Sequence, residues 1–246
     1  MSRKRWACGT LACIGLLILL GLLPCYPTVR EITSMSQSAN NLKQIGLALR
    51  NYHEVYGRLP PAVVCDKDGR ALYSWRVLML PFIELNQLYE QFHLDEPWDS
   101  PHNLPLSRET PRCYRSSLGG SGDEVGLTPY QVLIGPGTAF ERPGLTFDDF
   151  PDGLENTIFV VAAADPVPWA KPVDLAYHPD EPLPRFNDQY SKPVKLVCYN
   201  IAWHKGFPAC FGDGRYHFIR ASTDEQFIRA IITRNGGEPV NVSRLD

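Results

Sequence analysis

The chain has 246 residues, with 24 Lys+Arg against 27 Asp+Glu and a formal net charge of −3. Arg3, Lys4 and Arg5 cluster at the N-terminus, so the remainder is more acidic still and offers no basic footprint for phosphate; nucleic acid is not an expected partner. Hydrophobic content is 44%, with 22 prolines and 19 glycines, which reads as a globular chain with long ordered loops, because aromatic and apolar runs lie between the prolines.

In chain order, the first feature is the uncharged run 6–23, WACGTLACIGLLILLGLL. It is near the shortest length that spans a bilayer. The three cations before it place the N-terminus in the cytoplasm and the bulk of the chain outside it. A cleaved signal peptide is the rival reading. No small-x-small site precedes Tyr26, and Pro24 before Cys25 does not suit a lipoprotein signal, so an uncleaved anchor is the expectation. This divides the chain into a tail and anchor, 1–27, and an extracytoplasmic domain, 28–246.

The domain opens on a spine helix expected over 28–57. Thr28 and Glu31 have capping-box spacing. Gly57 suits the left-handed position after the last turn, and Pro60 forbids continuation. Ile32, Met35, Ala39, Leu42, Ile45, Leu49, Tyr52 and Tyr56 recur every three or four residues as one apolar stripe. About 28 residues at 1.5 Å each span roughly 42 Å. Gly46 interrupts with a poor helix former; either another element packs against the backbone there or the glycine is tolerated.

Beyond the spine, Leu85–Phe92 reads as a short helix after Pro81, and residues 95–111 as a Pro-rich loop carrying Trp98. Strands are expected at 128–134, at 157–164 as a central buried strand, and at 194–202. Residues 207–211 and 215–219, joined by Gly212-Asp213-Gly214, read as a β-hairpin. Residues 167–193 are again Pro-rich. Ser222 with Glu225 has capping-box spacing before a final helix. The pattern is α+β: a long N-terminal helix, then an antiparallel sheet with long Pro-rich loop insertions covering the helix stripe.

Candidate chemistry is sparse. His204 with Asp213 is the best polar pair for a ligand or metal; the alternative is a loop histidine and an Asp-Gly turn. Trp75, Trp98, Trp169 and Trp203 could stack on sugars or pin loops to a core. His93, Asp95 and Glu96, and the carboxylates of Asp148, Asp149 and Asp152, could supply metal ligands, but neither group has a diagnostic pattern. Ser116 and Ser117 lack a nucleophile elbow, and Gly119–Gly122 lacks the lysine of a P-loop. No cofactor and no enzymatic activity are expected. Cys65, Cys113, Cys198 and Cys210 lie outside the anchor region; they allow up to two disulfides or stand as free thiols.

The stretches SQSANNLKQIGLALRNYHEVYGRLPP (36–61), SWRVLMLPFIELNQLYEQFHLDEPWDSPHNLP (74–105), YQVLIGPGTAFE (130–141), DGLENTI (152–158), FGDGRYHFI and ITRNGGEPV resemble the bacterial domain-of-unknown-function 1559 family of pilin-like envelope proteins. The resemblance implies a pseudopilin-like architecture and no established activity; the family name carries a hint of extracellular solute binding. Two departures stand out. Residues 1–25 hold no Gly-Phe-Thr-Leu-x-Glu processing site, and eight residues, not nine, separate His204 from Asp213-Gly214. The expectation is a single-pass membrane protein whose spine holds one domain near the membrane. It would act as a structural or interaction protein alongside envelope or secretion-system proteins; a solute- or glycan-binding module is the alternative.

Overall fold

The helix α1 (Cys25–Tyr56) is 32 residues long and lies across one face of a five-stranded sheet. The structure, a computed structural model, describes residues 25–118, 126–197, 200–240 and 242–245; the run 6–23 and the loop Gly119–Gly122 lie outside them. Thr28 sits within α1 and does not cap it. Pro27 is tolerated in the first turn because the amide it lacks would have no helical partner there. The helix stops where Gly57 takes φ +67° and donates its N–H to the His53 carbonyl at 2.7 Å, the left-handed ending that favours glycine.

Met35, Leu42, Ile45, Ala48, Leu49 and Tyr52 bury the face that meets the sheet, each large side chain worth roughly 1.5–3 kcal/mol. The ends of the expected stripe are outside this contact: Ile32 is 38% and Tyr56 55% exposed. Within the stripe Ser38 and Asn41 are buried polar residues. The Tyr130 hydroxyl donates to Ser38 Oγ at 3.2 Å, and Asn41 donates to the Tyr130 hydroxyl at 3.3 Å and the Arg115 carbonyl at 3.2 Å. This seam satisfies polar groups that would be costly to bury alone.

Strands β1 (Val63–Cys65) and β2 (Ala71–Ser74) form a small hairpin. Three short helices follow, α2 (Trp75–Leu78), α3 (Asn86–Gln91) and α4 (Asn103–Ser107). The main sheet is built from β3 (Leu127–Gln131), β5 (Ile158–Pro168), β7 (Tyr190–Val197), β8 (Asn200–Phe211) and β9 (Tyr216–Arg220), all paired antiparallel. Between β3 and β5 runs β4 (Leu133–Ile134), which pairs in parallel with β6 (Leu175–Ala176). The strand expected at 128–134 is thus split. The Val132 N–H leaves the ladder and donates to Asp174 Oδ1 at 2.9 Å. The strand expected at 194–202 is the tip of a hairpin, with Val197 opposite Asn200, because alternation alone reads the same through a turn.

Residues alternate between the two faces of the sheet. Phe159, Val160, Cys210 and Phe218 point toward α1. Ile158, Val161, Phe207, Phe211 and Ile219 point the other way, against Ile228, Ile231 and Ile232 of α5 (Glu225–Ile232). A register shift between Ile158 and Val160 puts two consecutive β5 side chains on the α1 face. The α5 cap is Asp224, whose carboxylate accepts from the Gln226 and Phe227 amides; Ser222 lies too early. The fold is α+β, with helices on both faces of an antiparallel sheet.

Gly46 marks the closest helix–sheet approach. A Cβ there would collide with Cys210 Sγ and lie 3.2 Å from the Gly214 Cα. Arg50, one turn on, donates to the Asp213 carbonyl at 3.1 Å. The glycine is required by packing. Gly46→Ala is expected to lower stability by up to about 2 kcal/mol, an overpacking cost of about 1–3 kcal/mol reduced by about 1 kcal/mol of helix propensity. In denaturant unfolding, adding Cys210→Ala in the same chain should recover part of the loss, a non-additive pair.

Near the end of α1, His53 anchors the loop before β5. Its ring stacks on Phe147 at 3.6 Å, and Nε2 accepts the Phe147 N–H at 3.2 Å. Burial holds this imidazole below its usual 6.5; Asp148 and Glu54 oppose that shift and Arg50 adds to it. The folded chain therefore prefers neutral His53, while the unfolded chain protonates it below about pH 6.5. Its contribution is intact above that pH and is lost as pH falls through the lowered folded value. His53→Gln, which keeps an acceptor, should flatten this acid limb of the stability–pH curve.

Candidate functional site

The structure separates His204 from Asp213. His204 is half-buried in β8 opposite Lys192, and Asp213 lies in the turn beyond the strand's far end. Seven positions from His204 to Phe211, at roughly 3.3 Å each, put about 23 Å between them along the strand. They therefore form no common ligand set. Asp213 instead closes its own turn, accepting the Arg215 N–H at 2.9 Å and pairing with the Arg215 guanidinium at 3.4 Å. Among the described residues no three His, Cys, Asp or Glu side chains converge on a metal position.

Trp75 and Trp169 are fully buried and Trp98 is half-buried against the core. The first two present no stacking face to a sugar. Trp98 donates its backbone N–H to the Leu72 carbonyl at 2.8 Å, and so pins the loop after α3 to β2. Trp203 belongs to β8, but its side chain lies outside the described residues. His93 pairs with Glu96 at 3.0 Å and stacks on His102 at 3.4 Å. Both are held in a loop organised by buried Asn103, which bonds the His93 backbone twice at 2.9 Å and the Pro97 carbonyl at 3.0 Å. Asp149 accepts the Thr146 N–H at 2.7 Å and hydroxyl at 3.1 Å, contacts that hold its carboxyl below the usual range. Asp152 accepts the Gly237 N–H. Asp149 thus caps its short helical turn, and Asp152 ties its loop to the C-terminal segment. Cys65, Cys113 and Cys210 are free thiols; Cys198 lies outside the described residues.

Two features went unread in the sequence. The first is a buried ion pair. Arg76 in α2 and the Asp174 side chain are both fully excluded from solvent and meet at 2.5 Å. Arg76 also donates to the Tyr130 carbonyl at 2.9 Å and Ser74 Oγ at 2.7 Å, while its guanidinium lies 4.9 Å over the Trp75 ring. Asp174 Oδ1 accepts the Trp75 indole at 3.3 Å. Burial pushes the Asp174 carboxyl up, against the pull of Arg76, the Val132 N–H and the indole. The signal for it was a lone arginine inside the apolar run WRVLML, since a buried charge requires a partner.

The second is a surface groove beside α1. One part, about 370 Å³, lies between Leu47 of α1 and the turn at Phe82–Leu85, with Arg112 at its rim. The other, about 880 Å³, runs between α3 and α4 past Leu88 and Leu106. The two share Glu84 and Leu85. Leu47 is 57% exposed although it sits mid-helix. Among the described residues Glu84 is the one non-glycine residue with positive φ, at +64°, a conformation that costs about 1–3 kcal/mol. It ends the 3-10 turn Leu80–Ile83 by returning its N–H to the Leu80 carbonyl.

The ion pair yields a direct test. Asp174→Ala leaves the guanidinium buried without its partner and should cost about 3–5 kcal/mol in denaturant unfolding. Replacing both partners with apolar residues, Arg76→Met with Asp174→Leu, is expected to cost less than that single change.

No curated protein and no solved structure matches the chain. A family model matches over residues 28–116, from α1 through α4 to the turn that carries Tyr114; His204 and Asp213 lie beyond the match. Over these residues, which hold Gly46, Arg76 and the whole groove, the chain is similar to the family described as protein of unknown function (DUF1559).

Proposed function

We propose that the protein is a membrane-anchored, extracytoplasmic structural or interaction protein of pseudopilin-like architecture, with Pro-rich loops inserted around its sheet. The observation that carries this reading is the division of labour along α1. One face is sealed against the sheet by Leu42, Ile45 and Leu49, while Leu47 stays exposed beside an open groove and Val55 is exposed further along the helix. An exposed apolar flank of this kind is a mark of surfaces that meet other molecules. The anchor is the run 6–23, just ahead of Cys25, where α1 begins. No helix of the described residues is itself long and apolar enough to cross a membrane. Partners on this reading are envelope or secretion-system proteins.

Fractionation of cells producing the tagged full-length chain tests the proposal. The chain should stay with membranes through alkaline carbonate extraction, and external protease should reach the domain in spheroplasts. Deleting residues 6–23 should release it. Recovery of the intact chain in the soluble fraction, or protection of the domain from external protease, would overturn the reading.

A further inference from the structure

We infer that the groove between α1, α3 and α4 is a docking site for an amphipathic segment of another protein, one whose apolar side chains are flanked by lysine or arginine. This rests on the interaction reading above and adds the chemistry of the partner.

The groove is mixed: Leu85, Leu88, Pro105 and Leu106 give the larger part its apolar surface among polar side chains, and Leu47 and Phe82 do so in the smaller. The charges of the larger part are Glu84 and Glu109, with no cation among its lining residues. Among the described residues neither carboxylate is in an ion pair or a side-chain hydrogen bond, whereas Glu96, Glu141 and Glu225 each hold a basic partner. Unneutralised carboxylates lining the larger part favour a cationic, apolar occupant there and repel phosphates and acidic peptides; the cation Arg112 lines only the smaller part. The side-chain amides of Asn86, Gln87 and Gln91 stand along the same trough, each offering both a donor and an acceptor to a peptide. Glu84 supplies a separate argument. Its left-handed backbone sets the carboxylate at the junction of the two parts, although glycine would hold that conformation without strain. An amphipathic helix laid into such a trough is an established mode of recognition.

The test uses the full-length chain in a non-ionic detergent and a defined probe: an amphipathic Leu/Lys peptide of about 14 residues, some four helical turns, carrying a benzophenone. Cross-linked adducts are mapped by mass spectrometry. They should concentrate in residues 80–91 and 103–113 and fall about tenfold or more in Leu88→Asp and in the pair Glu84→Lys with Glu109→Lys. The charge-reversed pair should instead take up the Leu/Glu version of the peptide. If Glu84→Lys disturbs the fold, Glu109→Lys alone carries the same readout. Adducts scattered over the chain, adducts unchanged by these substitutions, or a groove occupied by a second copy of the chain would each overturn the inference. Failure here leaves carbonate-resistant membrane association intact, so it is distinguishable from failure of the anchoring proposal.

Discussion

The approach of α1 to the β8–β9 hairpin at Gly46 is the constraint on which the architecture depends. A helix and a sheet ordinarily keep a side chain's thickness between their backbones. Here Cys210 Sγ and the Gly214 backbone occupy the space a Cβ would take. Holding the helix that close lets Leu42, Ile45 and Leu49 reach full burial, and lets Arg50 bond the Asp213 carbonyl. The Gly-Asp-Gly turn thus acts as a dock for the spine.

A second tie works across sequence distance. Arg76 and Asp174 draw together the end of β2, the break between β3 and β4, and the segment leading to β6. Its members run from Ser74 to Asp174, so the pair fixes how the helical insertion after β2 sits on the sheet. Such pairs contribute less to net stability than to the choice of one arrangement, since the desolvation cost offsets much of the attraction. Most of the groove's lining belongs to that insertion. Its walls, α3 and α4, are short helices whose relative placement comes from the buried Asn103 network and from the Trp98 contact to β2.

Much of this was legible from periodicity and punctuation. Gly57, the spine stripe, the buried β5 and the hairpin around Asp213 all follow from local chemistry. Gly46 was visible as an anomaly, but only the partner across the interface decides between packing and tolerance. The misreadings share a cause: they depended on contacts remote in sequence. Val132 looks like a strand residue until Asp174 claims its N–H. Trp75 and Trp169 look like exposed platforms until the loops holding them fold back on the core. Ser222 and Asp224 offer equivalent capping oxygens, and strand pairing decides which one stands at the helix start. The groove is invisible in the sequence, because Glu84 and Glu109 face one trough only once α3 and α4 are placed.

The wedging of Cys210 between sheet and helix gives the molecule an internal reporter. Burial pushes the Cys113 and Cys210 thiols up to about 12, so at neutral pH both are closed to alkylating reagents, while Cys65 stands exposed on β1. A reagent that reaches Cys210 has done so because the spine has lifted from the hairpin. The rate of that modification therefore measures how often the two layers part, through a side chain that belongs to the native contact itself.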